Sequence, residues 1–179
     1  GFKGGEWIVG MDFPSNSVKS LYFSEEVFAV CIRGWIDILV SQGYRLIVLL
    51  NGHGAENQVT VLDRLAAEYS HVGPAKALHL MPMPGFVKKE NSWAHATADE
   101  TSVLMAIHPE SVDLNELPPR EKPFKNRKWA IIDDLTFRGK PTKDFTVRKE
   151  EDPRFNASPK KGEKNMERAV SELTEVVKK

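Results

Sequence analysis

Leu46-Ile47-Val48-Leu49-Leu50-Asn51-Gly52-His53-Gly54 is the stretch on which the rest of the chain turns. Its first five residues are an uninterrupted β-prone run of the kind found in strands covered on both faces. Upstream, Val27, Val30, Cys31, Gly34, Trp35, Ile38 and Leu39 recur at spacings of three and four, which predicts a helix with one apolar face. Ser24 suits its cap, Glu25 and Glu26 suit the positive end of its dipole, and Gly43 supplies a left-handed stop. Downstream, Val59, Leu62, Leu65 and Ala66 continue at helical spacing, with Glu56, Asp63 and Arg64 for the wet side, so a second helix is expected over residues 56–69. Helix, buried strand, glycine turn, helix is the repeat of an α/β fold. Such a fold has a mostly parallel sheet with helices on both faces, and its ligands bind beyond the carboxyl ends of the strands.

The same reading extends to the C-terminus. Residues 75–81 suit the next strand, ended by Pro82, Pro84 and Gly85, and a loop through Trp93 and His95 leads to a short helix over residues 99–107 that stops before Pro109. Residues 117–152 are rich in Pro, Lys and Arg and read mostly as surface loop, with one short strand at 129–132. Ser158 is a cap and Pro159 is at home in a first helical turn. Met166, Ala169, Val170, Leu173 and Val177 then make the stripe of a docked terminal helix.

Composition excludes several classes. The 179 residues carry 25 Lys plus Arg against 25 Asp plus Glu, so a main task of coating nucleic acid, which draws affinity from phosphate neutralisation, is not expected. The longest apolar run is too short for a bilayer, and the N-terminus lacks the layout of a signal peptide, which gives no membrane partner. The length fits one domain over residues 1–179. Cys31 has no internal partner and reads as a buried reduced thiol, in keeping with a cytoplasmic location.

Two constellations carry chemistry. At the strand end, His53 between Gly52 and Gly54 has an imidazole available as a neutral metal ligand or proton carrier; the competing reading is a histidine hydrogen-bonded in a turn that needs glycines. Glu56, three residues on, is read on spacing alone as an acid at a helix N-terminus. The second constellation runs from Trp93 through His95 to Asp99, Glu100, Thr101 and Ser102. Glu100 beside an imidazole suits a divalent metal and proton movement, whereas the bland reading makes Thr97 an N-cap and Asp99 and Glu100 first-turn acids. His71, His79 and His108 read as structural or solvated. No Gly-x-Ser-x-Gly elbow, phosphate loop or full dinucleotide fingerprint occurs, which narrows the field to metal-assisted chemistry or simple binding.

Four segments in order resemble the creatininase family of creatinine amidohydrolase-like metal-dependent hydrolases. Phe13-Pro14-Ser15-Asn16-Ser17-Val18 resembles its Phe-Pro-Gly-Thr-Ile-Ser loop, and Asn51-Gly52-His53-Gly54 its Asn-Gly-His-Gly-Gly-Asn turn. Residues 95–102 resemble its His-Ala-Gly-x-x-Glu-Thr-Ser segment. Asp152-Pro153-Arg154 with Ala157-Ser158 and Lys161-Gly162 resembles the entry to its last helix. The resemblance implies a three-layer α/β fold, often hexameric, and two divalent metal ions (zinc, manganese or iron) at the carboxyl edge of the sheet. It also implies hydrolysis of an amide C–N bond in a small, cyclic or linear substrate. By position, His53 would bind one metal and Glu100 the other, His95 would shuttle a proton or contact substrate, and Trp93 would wall a flat substrate.

The chain also departs from that pattern. No histidine precedes His53, so the family's N-terminal Glu-x-His with its following Asp has no counterpart. The chain is accordingly expected to be the C-terminal two-thirds of the usual domain, partnered by a missing N-terminal segment. The carboxylate after the turn histidine comes one residue late, at Glu56, which is then a ligand in a bulged turn or a neighbour of the ligands. Gly10 stands in place of a substrate-side histidine, and Ser15-Asn16 in place of Gly-Thr, which argues against creatinine itself as substrate. The alternative function is a non-catalytic binding or assembly subunit without a complete metal centre.

Overall fold

A computed structural model of the chain describes residues 10–12, 24–53, 56–82, 96–126, 130–133, 136–137 and 145–179. Contacts divide the chain into two compact units, one of residues 1–81 with 128–142 and the other of residues 82–127 with 143–179.

In the first unit, Ser24 accepts a hydrogen bond from the Val27 amide at 3.2 Å and starts helix α1, Glu25–Ser41. Gly43, at φ +89°, turns the chain into strand β2, Leu46–Leu50, because glycine alone takes that conformation without a Cβ clash. Helix α2, Glu56–Val72, returns the chain to strand β3, Lys76–Leu80, which pairs parallel to β2 with Leu46 opposite Lys76 and Leu50 opposite Leu80. The hydroxyl of Ser70 both donates to the carbonyl of Ala77 at 2.8 Å and accepts from its amide at 2.9 Å, fixing the end of α2 to β3. Ile36, Ile47, Val61, Leu65, Ala66, Ala75 and Ala77 form the core between α1, α2 and this parallel pair. Strand β1, Gly10–Asp12, pairs antiparallel with a later strand of the same unit, Ala130–Asp133, which also pairs antiparallel with Thr136–Phe137.

The parallel part of the expected sheet is therefore β2–β3, and the other strand pairings among the described residues are antiparallel. Three packing expectations are corrected. The buried face of α1 is Ile36, with Phe28, Ala29, Ile32, Leu39 and Val40 packed partly against the core. By contrast Val30 is 63 % and Trp35 66 % exposed, and Val27 and Ile38 are exposed beside them. The helix is apolar around most of its circumference, so three-and-four spacing fits two stripes equally and does not choose between them. Cys31 lies on the outer stripe and is exposed rather than buried. Strand β2 buries Ile47 only, while Leu46, Val48 and Leu50 on its other face are exposed, so one face of the strand is covered and not both.

In the second unit, helix α3, Ala98–Ile107, is followed by two single 3₁₀ turns, Pro109–Ser111 and Leu114–Glu116. Strand β4, Lys125–Asn126, pairs antiparallel with Phe145–Thr146. Numbered in chain order, Ala130–Asp133, Thr136–Phe137 and Phe145–Thr146 are β5, β6 and β7. A short helix α4, Pro153–Asn156, precedes the terminal helix α5, Pro159–Val177, whose first turn is capped by Ser158 accepting from the Lys161 amide at 3.3 Å. As expected, α5 docks, and it does so on α3. A Cβ at Gly162 would sit 2.0 Å from the carbonyl oxygen of Ser102, so the two helices touch backbone to backbone where only glycine fits. Val170 is the exception in the predicted stripe and is exposed.

No helix among the described residues is long and apolar enough to cross a membrane.

Candidate functional site

His53 lies three residues past the end of β2, beyond the carboxyl edge of the parallel pair. The β2–β3 ladder runs one bond past the strand, from the Asn51 amide to the carbonyl of Leu80 at 2.9 Å. Asn51 is buried, and its side chain then organises the turn. Its Oδ1 accepts from the His53 amide at 3.0 Å and from Gln58 Nε2 at 2.8 Å, while its Nδ2 donates to the His53 carbonyl at 2.8 Å. The histidine backbone is thus gripped on both sides, and the residue itself stays exposed to solvent. Sequence reasoning credited this turn to its glycines and missed Asn51 and Gln58; an Asn two residues before the histidine, able to form a local side-chain turn, was the available signal. Gly54 lies outside the described residues. Glu56 is the first residue of α2, as the spacing predicted, and its side chain is outside the described set.

A second imidazole of the first unit is organised without having been singled out. His79 of β3 directs Nδ1 at Asp63 of α2, 2.7 Å away, and its side chain is only 5 % exposed. Its Nε2 is buried without a hydrogen-bond partner. Of the two readings for His79, structural and solvated, the first fits.

Glu100 occupies the third position of α3 in the second unit and is half-buried. Its carboxylate accepts from the Ala96 amide, reaching back over the helix start as a capping-box acid does. Thr97 is the N-cap residue, but its side chain makes no capping bond. Ala96 stands at φ 55°, an uncommon conformation for a residue with a side chain. The neighbours of Glu100 tie α3 down. Ser102, wholly buried, donates to the Ala98 carbonyl and accepts from the Ser158 amide at 3.0 Å. Asp99 meets Lys161 at 3.0 Å and Asn165 at 3.2 Å. Trp93 and His95 lie outside the described residues.

The same unit holds a buried ion pair. The guanidinium of Arg154 donates to both carboxylate oxygens of Asp152, at 2.7 Å from Nη2 and 3.0 and 3.2 Å from Nε. Its Nη1 donates to the carbonyls of Pro118, Pro119 and Lys122 at 2.7, 2.8 and 3.1 Å. Burial alone would push the Asp152 carboxyl up; the hydrogen bonds and charge of Arg154 outweigh it and hold the group below the usual carboxylate range. Arg154 thereby fixes a segment whose flanking residues, Leu117 and Phe124, line a cleft of about 430 Å³ beside Glu100. Ala96, Leu104, Val112, Leu114 and Pro153 complete its apolar wall, and Thr101, Ser111 and Asp113 join Glu100 as its polar part.

Among the described residues, no three His, Cys, Asp or Glu side chains converge to hold a metal ion. His53 in the first unit and Glu100 in the second are each of the kind that binds a divalent metal, as a nitrogen and an oxygen donor. Compared with known proteins, the chain matches the family model described as creatinine amidohydrolase over residues 9–177, a span that runs through both units. No curated protein and no solved structure matches it.

Proposed function

The chain belongs to the creatininase family, and on that premise we propose that it is a metal-dependent amidohydrolase cleaving an amide C–N bond of a small substrate. The observation that supports this most is the placement of His53. It lies just past the carboxyl end of a parallel strand, in a turn whose backbone a buried Asn51 holds by two hydrogen bonds, with a third from Gln58 holding Asn51 itself. A ligand on such a turn is pre-positioned, which is what a catalytic centre requires of its supporting residues.

In this reading His53 would hold one divalent ion and Glu100 a second, with Glu56 beside or within the ligand set. Zinc, manganese or iron would supply Lewis acidity and a hydroxide at neutral pH. His95 delivers the proton to the leaving nitrogen, and Trp93 gives a flat substrate a wall to stack on. The chain has the family's three-layer α/β fold and works in the cytoplasm as a homo-oligomer, a hexamer by family resemblance. Neither nucleic acid nor membrane is a partner.

A second reading, a non-catalytic binding or assembly subunit, draws support from the exposed apolar stripe of α1 around Val30 and Trp35. Elemental analysis and an amide-hydrolysis screen separate the two. The enzyme should carry divalent metal and lose hydrolysis on chelation; protein with neither metal nor turnover sinks the enzymatic reading. His53→Ala and Glu100→Gln should each lower metal content, while His95→Ala should keep it and lose turnover. Full metal content in either of the first two removes that residue from the ligand set.

A further inference from the structure

We propose that the second unit holds a carboxylate site of its own, a hollow beside Arg120 that takes a small monocarboxylate with a short apolar stem. The site goes beyond the hydrolase reading and does not depend on it. The hollow, about 300 Å³, lies at the lower end of the range for small-molecule sites, about 300 to 1,000 Å³. Leu114, Leu117, Pro118 and Pro119 give it an apolar wall, and Asn115, Arg120 and Arg154 are its polar part. Both charged side chains among its described lining residues are therefore guanidiniums. A guanidinium fork matches a carboxylate with two parallel N–H···O bonds, and the leucines and prolines suit the stem.

The two guanidiniums have different tasks. Arg154 is committed to Asp152 and to the carbonyls of Pro118, Pro119 and Lys122. That commitment also favours an anion, because carbonyl oxygens that would repel it are already occupied by N–H donors. Arg120 is uncommitted: among the described residues it meets no carboxylate and no hydrogen-bond acceptor, and its guanidinium lies 5.4 Å from the centre of the Phe155 ring. The same ring has Lys149 Nζ at 5.6 Å and the Arg154 guanidinium at 5.7 Å, so three cations gather on one aromatic side chain. The acids nearby act on Arg154, Asp152 through its bonds and Glu121 through its charge. Asp113, outside the lining, is engaged by the amide and Nδ2 of Asn115 at 2.8 and 2.9 Å. With one uncommitted fork, the hollow suits a singly charged, planar carboxylate better than a phosphate dianion.

Side-chain NMR of the full chain tests the proposal by binding alone, with butyrate, butyramide and inorganic phosphate as probes at constant ionic strength. Butyrate should shift the Arg120 Nε and the methyls of Leu114 and Leu117 saturably, with butyramide and phosphate each about tenfold weaker or worse. Arg120→Gln removes the charge without breaking a hydrogen bond of the fold and should weaken butyrate about tenfold. Arg120→Lys should recover only part of that loss, because an ammonium lacks the fork. Lys149→Gln, which removes an equal charge outside the lining, should weaken butyrate less than about threefold. No saturable shift, butyramide or phosphate binding as well as butyrate, or equal losses from the two glutamine variants overturns the proposal, the last by revealing general surface attraction. Neither metal content nor turnover enters these readouts, so failure of the hydrolase reading would leave them unchanged.

Discussion

The turn that carries His53 and the helix start that carries Glu100 are held in opposite ways. Around His53 the side-chain restraints from Asn51 are local, to residues two and seven positions away. Around Glu100 the restraints come from far along the chain, with Ser102 bonded to Ser158, Asp99 paired with Lys161, and Gly162 pressed against the Ser102 carbonyl. A local grip fails by itself when its residue changes. A distant one fails together with the packing that delivers it, so substitutions near Glu100 should disturb a whole helix pair and those near His53 a single turn.

The largest expected effect breaks the distant kind. Arg154→Met leaves Asp152 buried without its cation and should cost about 3–5 kcal/mol. Urea unfolding followed by circular dichroism measures it, and the Asp152→Asn/Arg154→Met double variant should recover part of the loss. Gly162→Ala comes next, at about 1–3 kcal/mol, because the new methyl group meets backbone rather than a yielding side chain. A Gly162→Ala protein as stable as the parent would show that α5 shifts freely on α3, against the distant-grip account. Asn51→Ala should cost less, about 1 kcal/mol, by removing its hydrogen bonds to the partly exposed His53 and Gln58. Its amide shift changes should stay near His53 and Gln58, and a spread through α3 and α5 would dissolve the contrast.

The smallest effect concerns pH. Asp152 is held below its usual value in the folded state, so its contribution is complete above the unfolded carboxylate pKa of about 3.9 and is lost as pH falls through the lower folded value. The parent should therefore lose stability on acidification more steeply than Asp152→Asn; equal slopes would show that this pair does not couple folding to protonation.

The contrast also explains what the sequence disclosed. The helix, strand, turn and helix around residues 46–54 were legible because each rests on neighbours: Ser24 as cap, Gly43 as left-handed stop, five apolar residues as strand. The choice of buried face on α1 was not, since Phe28, Ile32, Ile36 and Leu39 and the outer Val27, Cys31, Trp35 and Ile38 have the same spacing, and only the partners of the folded chain distinguish them. At the candidate site, His53 could be singled out from its place after an apolar run and Glu100 from its place at a helix start. Asn51 could be picked out only from its place two residues before the histidine, because its partners are mostly backbone atoms with no residue type to recognise. The roles of Ser102, Gly162 and Arg154 depend on contacts across tens of residues, and a one-dimensional pattern carries no measure of that closeness.

The 56-residue separation between Ser102 and Ser158 has a consequence for how the protein is made. Short-range contacts close quickly and long-range ones slowly, and a chain leaving the ribosome can complete a segment only once all of it has emerged. The α1–β2–α2–β3 block is contiguous and can order while synthesis continues. The surroundings of Glu100 must wait for α5, which emerges after α3. Pulse-labelled hydrogen exchange should find amides of β2 and β3 protected before those of α3, and the reverse order would show that α3 finds its partner by another route.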